Sequence, residues 1–449
     1  MPMPIRTSLP LLVILTLAVG CGTPVPVGVD AGTDGGAPVD AGTRLPSGLS
    51  QAVPVPSGAS ATDFGGDLAM ALDANGDPVL SYAWARPGGN AADGAVYFVR
   101  WDSAAGAWST PVKIETVGPI FQNAPLRHTA VAIDRSTGTI AVAYGRFNTR
   151  TPPRNELVYS THLAISTDGG KTFTSELVSV RQDPTSGSEE AYLPSLELAG
   201  GKTHLVYFQR WQRCTAGSDC SGAWYVTRSG TSGAFTRTLL PLVGATAGNR
   251  SLPLSLALDA QGKPGIAYLL REDTGYNTTV AFWRPDAATA VKVFDSGGIQ
   301  NDGPTVALAF DGLKPRILAA LVNTASPTTD LMFSSSDDGA AWSAPVAIPR
   351  DGGQFSGPYL ALSISGTVVA ASENQGGASA GLCGAPKLSK STNLTAWTTC
   401  GFDAAVIDSA AGRHLNLRHA PDGKLVMAFH YPITTNPKVA PGVVVWREP

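Results

Sequence analysis

The chain has 449 residues, of which only 15% are charged, and its formal net charge is −3. That balance excludes nucleic acid as a bulk electrostatic partner, because a phosphate backbone is held by a surplus of Lys and Arg. With 50 glycines and 34 prolines, the composition favours many short strands joined by turns.

Arg6 precedes an apolar run from Leu9 to Val19, and Gly20 and Cys21 follow it. A basic start, an apolar stretch of about ten residues and small residues before a cleavage point read as a secretory signal over 1–20, too short for a permanent span. Leu17, Ala18, Val19, Gly20 and Cys21 resemble the bacterial lipobox, with Ala18 where that pattern has Leu. The resemblance implies that Cys21 becomes the lipidated first residue. The mature protein is then expected at the cell envelope, anchored at the outer membrane or cell surface. Residues 21–48 are rich in Gly, Pro, Val, Ala and Asp and have almost nothing large to bury, so they are expected to be a disordered linker.

The folded body is expected over 49–449. It repeats a motif of alternating small and large residues that ends in a turn and leads into a second, β-branched strand. LAMALD before VLSYAW is followed by TAVAID, PSLELAGGK, LSLALD, TVALAFDG, LALSISG and LNLRHAPDG, each with its own second strand. Anchored on Asp73, Asp134, Ala199, Asp259, Asp311, Ser365 and Ala420, the seven copies lie 52 to 65 residues apart. Each interval holds four antiparallel strands, which describes an all-β, seven-bladed propeller. One face of the first strands is slim throughout: Ala69 and Ala71, Ala130 and Ala132, Ser255 and Ala257, Ala307 and Ala309, Ala361 and Ser363. Strands converging on an axis require that. The last copy supplies three strands and ends at GVVVWREP, while SQAVPVP precedes the first. Pairing these two segments closes the ring as 3+1 and removes two free edges; six blades with a stray hairpin is the alternative.

Two turns between third and fourth strands fit S-x-D-x-G-x-x-[WF]. They are Ser166, Asp168, Gly170 and Phe173, and Ser335, Asp337, Gly339 and Trp342, with looser versions at Asp102, Gly106 and Trp108 and at Ser391, Asn393 and Trp397. The pattern resembles the Asp-box, or neuraminidase repeat, of the sialidase-like propellers. Its chemistry is structural: the carboxylate accepts backbone N–H groups, the glycine takes positive φ, and the aromatic packs back between strands. The resemblance places these boxes on the face opposite an active site.

The other face gathers strand starts and the loops between second and third strands. It brings Arg127, Arg146, Arg210, Arg250, Arg271 and Arg413 together, and four blades carry Tyr shortly before Arg: Tyr82, Tyr144, Tyr207 and Tyr268. Guanidinium groups around a concave mouth suit a carboxylate, sulfate or phosphate, and exposed aromatic faces stack on sugars. The expected function is a binding or scaffold module for a glycan, an acidic ligand or a protein. The plainer reading is that these arginines bridge blades through ion pairs. The sialidase resemblance implies an alternative, an exo-acting glycoside hydrolase in which Arg127, Arg250 and Arg413 imitate an arginine triad and Tyr192 or Tyr431 acts near Glu190. The F/Y-R-I-P motif of that family is absent and its true enzymes have six blades. Glu197 and Arg418 stand where other blades have Ala or Ser, and are expected to form an ion pair in the channel. Cys214 with Cys220 and Cys383 with Cys400 form two local disulfides on this reading. No cofactor or metal is expected, and the body is expected to be monomeric.

Overall fold

The computed structural model describes residues 44–54, 68–84, 94–117, 129–149, 157–179, 189–211, 222–243, 250–271, 278–295, 305–323, 328–349, 355–374, 387–399, 413–431 and 442–449; at several strand ends only the backbone is described. All of them belong to one compact unit, Gly42–Pro449.

Every regular element among them is a strand, and the strands form seven antiparallel blades. Blade 1 is Leu68–Leu72, Pro78–Trp84, Ala95–Asp102 and Val112–Thr116. Blade 2 is Thr129–Ile133, Ile140–Thr149, Leu157–Ser166 and Thr174–Leu177. Blade 3 is Glu189–Ala199, Lys202–Trp211, Gly222–Ser229 and Thr236–Leu239, and blade 4 is Arg250–Leu258, Pro264–Arg271, Thr278–Trp283 and Val291–Asp295. Blade 5 is Thr305–Asp311, Lys314–Asn323, Thr328–Ser335 and Val346–Ala347, and blade 6 is Phe355–Ser365, Thr367–Asn374, Lys387–Ser391 and Thr398–Thr399. Blade 7 takes Arg413–His419, Leu425–Tyr431 and Gly442–Arg447 from the C-terminus and Gly48–Pro54 from the N-terminal side. The expected 3+1 closure is therefore present, with Gly48 opposite Arg447 and Pro54 opposite Gly442.

Each innermost strand lies against the next, and the seventh against the first. Leu68, Met70 and Leu72 of blade 1 pack on Val426, Ala428, Val443 and Val445 of blade 7. On their other side Ala69 and Ala71 meet Val131, Val142 and Tyr144 of blade 2. The slim face thus looks toward the following blade, and small polar residues on it do more than leave room. The free edge of an innermost strand has no sheet partner for its N–H groups. Ser195 Oγ accepts the N–H of Leu256 at 3.0 Å, Ser255 Oγ that of Leu308 at 3.0 Å, and Asn416 Oδ1 that of Met70 at 3.3 Å. In all three cases the residue four before the anchor serves the next blade.

The folded body begins before residue 49. Leu45 is only 2% exposed, and its N–H donates to Asp77 Oδ1 at 3.0 Å. Ser50 in the closing strand accepts from Trp108 Nε1 at 2.8 Å. Composition hides this start, because one buried leucine among Gly and Pro carries no periodic signal.

Candidate functional site

The strand order gives the ring a loop face, with the starts of the innermost strands and the second-to-third strand connections, and a turn face, with the two kinds of tight turn. On the turn face carboxylates close the chain on itself. Asp73 Oδ1 accepts the N–H groups of Asn75 and Asp77, both at 2.9 Å. Asp134 Oδ1 accepts from Ser136, and its Oδ2 takes the N–H of Gly201 in blade 3 at 2.7 Å. Asp259 caps Gln261 and Lys263 and pairs with Arg284 Nη1 at 2.8 Å.

The boxed turns follow the same logic. Asp168 accepts from the Thr172 hydroxyl at 2.6 Å, the Ser166 hydroxyl at 2.7 Å and the N–H groups of Lys171 and Thr172 at 3.0 Å. These donors, the Thr172 hydroxyl first, hold its carboxyl far below the usual carboxylate range. In blade 5 the structure shifts the expected residues by one. Asp338, not Asp337, accepts the N–H groups of Ala340 at 2.7 Å and Ala341 at 3.2 Å. Ser336, not Ser335, receives the Gly339 N–H at 2.8 Å, and Ser335 Oγ instead lies 3.4 Å from the Ser343 hydroxyl. The turn is one residue shorter than in blade 2, and Asp337 is left outside it, paired with Lys314 at 3.0 Å. Gly339 takes the positive φ expected of it.

Trp108 meets Trp101 of its own blade at 5.7 Å between ring centroids, and the other three box aromatics pack across blades. Phe173 meets Phe98 of blade 1 at 5.2 Å, Trp342 meets Phe282 of blade 4 at 5.3 Å, and Trp397 meets Phe333 of blade 5 at 5.0 Å between ring centroids. Gly170 and Gly339 have φ of +88° and +82°, and a Cβ at Gly339 would stand 2.7 Å from Phe282. Glycine is needed there for the backbone angle and for the neighbour's ring alike.

Arg127, expected on the loop face, lies outside the described residues, as do Cys21 and the expected disulfide residues Cys214, Cys220, Cys383 and Cys400. Arg146 Nη1 pairs with Glu115 of blade 1, and the Tyr144 hydroxyl donates to the same carboxylate. Tyr144 is fully buried, and burial first, then the bond to Glu115, raises its pKa above the ordinary phenol value. This triad bridges two blades. Tyr82, Tyr207 and Tyr268 are buried as well, so the repeated tyrosines are core residues and not sugar platforms. Tyr431, 1% exposed, packs in the cluster between blades 6 and 7 with Val444 and Leu388. Burial removes it from contact with a substrate. Glu115 carried no signal in the sequence, since it sits on a short outer strand with mixed exposure.

For the remaining positions the backbone register is informative. Glu190 stands opposite Arg210 and Tyr192 opposite Phe208 in blade 3. Arg250 stands opposite Arg271 in blade 4, and Arg413 opposite His430 in blade 7. All these pairs are at the loop-face ends of innermost hairpins. Glu197 and Arg418 stand on innermost strands, and no ion-pair contact joins them among the described residues. Burial raises the Glu197 pKa, against the opposing fields of Arg418 and Arg135. Among the described residues no group of three or more His, Cys, Asp or Glu side chains is placed to hold a metal ion. No helix among them is long and apolar enough to cross a membrane.

No family model matches the sequence, and no curated protein matches it. Among solved structures it is similar to an α-L-arabinofuranosidase from Fusarium graminearum, at 12% identity and a TM-score of 0.47, covering 91% of this chain and 98% of that one. A protein of unknown function from Dyadobacter fermentans shares 10% identity at a TM-score of 0.46, over 89% of this chain and 98% of its own. The NanB sialidase of Streptococcus pneumoniae shares 11% identity at 0.42, over 88% of this chain and 70% of its own. At these levels the likenesses assign no function, and the propeller architecture rests on the strand pairing itself.

Proposed function

We propose that the chain is a cell-envelope binding propeller, anchored through a lipid on Cys21, that takes an acidic glycan or another anionic ligand on its loop face. One observation supports this above the others, the register that sets Arg250 directly opposite Arg271. Like charges at opposed positions of a sheet destabilise it unless a counter-charge is supplied. An anion at the mouth of blade 4 supplies one, and guanidinium groups suit carboxylate and sulfate geometry. Rigid blades carrying variable connections on one face are also the usual scaffold for recognition. No observation among the described residues favours the hydrolase reading, since Tyr144, which meets Glu115, is buried and joins two blades.

The test is binding to immobilised uronic-acid, sialylated and sulfated oligosaccharides. Unaltered protein is expected to retain at least one anionic class, and the double variant Arg250→Ala, Arg271→Ala to lose it with an unchanged circular dichroism spectrum. Equal retention by both proteins refutes the loop-face site. The anchor is tested separately: Cys21→Ser is expected to move the protein from the membrane fraction to the soluble one, and an unchanged distribution rejects lipidation at this residue.

A further inference from the structure

On the seam between blades 2 and 3, two arginines carry donors that nothing in the fold accepts. Val226 stands opposite Arg237 in blade 3 and packs with Leu163 and Val178 of blade 2. Alternation along the two strands brings Arg228 and Phe235 to that same face. Both guanidinium groups lie against the Phe235 ring, the central carbon of Arg228 at 4.4 Å and that of Arg237 at 5.6 Å from its centre. Both also reach the outer edge of blade 2, where Arg228 Nη1 pairs with Glu176 and Arg237 Nη2 donates to the carbonyl of Val178 at 2.8 Å. The two cations therefore share one space, between a single ring and two residues of one neighbouring segment.

The Arg228 side chain is 1% exposed. Its Nη1 is taken by Glu176 and, at 3.5 Å, by the carbonyl of Gly233, but its Nε and Nη2 are buried without a hydrogen-bond partner, and so is Arg237 Nε. Nε and Nη2 form one edge of the guanidinium, whose two parallel N–H groups fit a small anion bidentately. Among the described residues no carboxylate except that of Glu176 is within ion-pair distance of either arginine. Two guanidinium groups against one carboxylate leave a positive charge in excess, and a buried cation without acceptors is costly. Phe235 and Arg237 are half-buried and the Glu176 side chain is 36% exposed, so solvent borders the closed edge.

We propose that this seam binds a small monovalent anion, a halide or the carboxylate end of a short acid. It lies on the Nε–Nη2 edge of Arg228, with Arg237 Nε as its second contact. By neutralising the excess charge it ties blade 3 to blade 2. The site is built from third and fourth strands, on the outer side of the ring, and is independent of the ligand proposed for the loop face.

Thermal melting of the whole chain at fixed pH and ionic strength tests the proposal, with sodium chloride, sodium formate or sodium gluconate as the salt. Gluconate is too bulky for so enclosed an edge. Chloride or formate is expected to raise the melting temperature saturably over gluconate, by about 3 °C at about a hundredfold excess over the dissociation constant. The salt with the lower half-saturating concentration tells a halide from a carboxylate. Arg228→Met, which keeps the bulk without the charge, is expected to melt equally in all three salts. Arg237→Met, at the more exposed position, covers the case in which Arg228→Met does not fold, and is expected to raise the half-saturating concentration about tenfold. Glu176→Gln is expected to lower it severalfold, because the competing carboxylate is gone, whereas an arginine that only partners Glu176 predicts no gain in salt response. Equal melting of the unaltered chain in the three salts, a preference that survives Arg228→Met, or a weaker response in Glu176→Gln overturns the proposal.

Discussion

On the turn face Asp73, Asp134, Asp168, Asp259 and Asp338 each accept N–H groups from residues two to four positions along the chain. On the loop face the register sets Arg250 against Arg271, two side chains of the same charge at the end of one hairpin. A carboxylate that caps its own turn stabilises the fold wherever that turn occurs, so it recurs from blade to blade. A like-charged pair at the end of a hairpin does nothing for the hairpin. The first face is explained within the molecule, and on the proposed function the second is served by a ligand.

The comparison is broken most severely at the closure, where the turn face locks the ring. Arg44 pairs with Asp422 at 3.4 Å, Leu45 is bonded to Asp77, and Gly48–Pro54 completes blade 7. A chain that starts at residue 55 is expected to lose on the order of 5 kcal/mol relative to one that starts at residue 22, from the buried side chains of Leu45, Ala52 and Val53 and the ladder they accompany. It also bares the edge Gly442–Arg447, which invites pairing between molecules. Thermal melting and size-exclusion chromatography check both effects. Equal melting temperatures and a monomeric profile for the shorter chain show that the ring does not depend on its closing strand.

The fold was legible because crowding at an axis imposes the same slim positions seven times, and because an orphan strand at one end matched a missing strand at the other. Repetition is what made it readable. Features that occur once were not: the start of the folded body at Leu45, the outer-strand Glu115 that receives Arg146 and Tyr144, and Arg135 reaching across a neighbouring blade. The repeated tyrosines were misleading for a physical reason. A Tyr at the same place in four blades satisfies a core that needs one large side chain per interface as well as it would satisfy a sugar platform, and burial decided for the core. On the loop face the residue types left their convergence open, since it depends on connections of differing length and composition.

The boxed turn of blade 5 offers the finest test of how far a motif is a physical statement. Pattern matching selects Asp337, whereas hydrogen bonding selects Asp338, so the two adjacent aspartates separate resemblance from mechanism. Asp338→Ala removes the acceptor for two backbone N–H groups, which must then find water at the surface, and is expected to lower the melting temperature by about 1–3 °C. Asp337→Ala removes only an ion pair with Lys314 in which the aspartate side chain is 83% exposed, and such pairs contribute little. Its melting temperature is expected to match that of the unaltered protein. Asn393, which caps Thr395 and Ala396 at the same place in blade 6, predicts that Asp338→Asn retains most of the stability that alanine loses. The opposite order, with Asp337→Ala the more damaging change, means that the longer register of blade 2 holds in blade 5 as well, and that Asp338 is the residue left outside the turn.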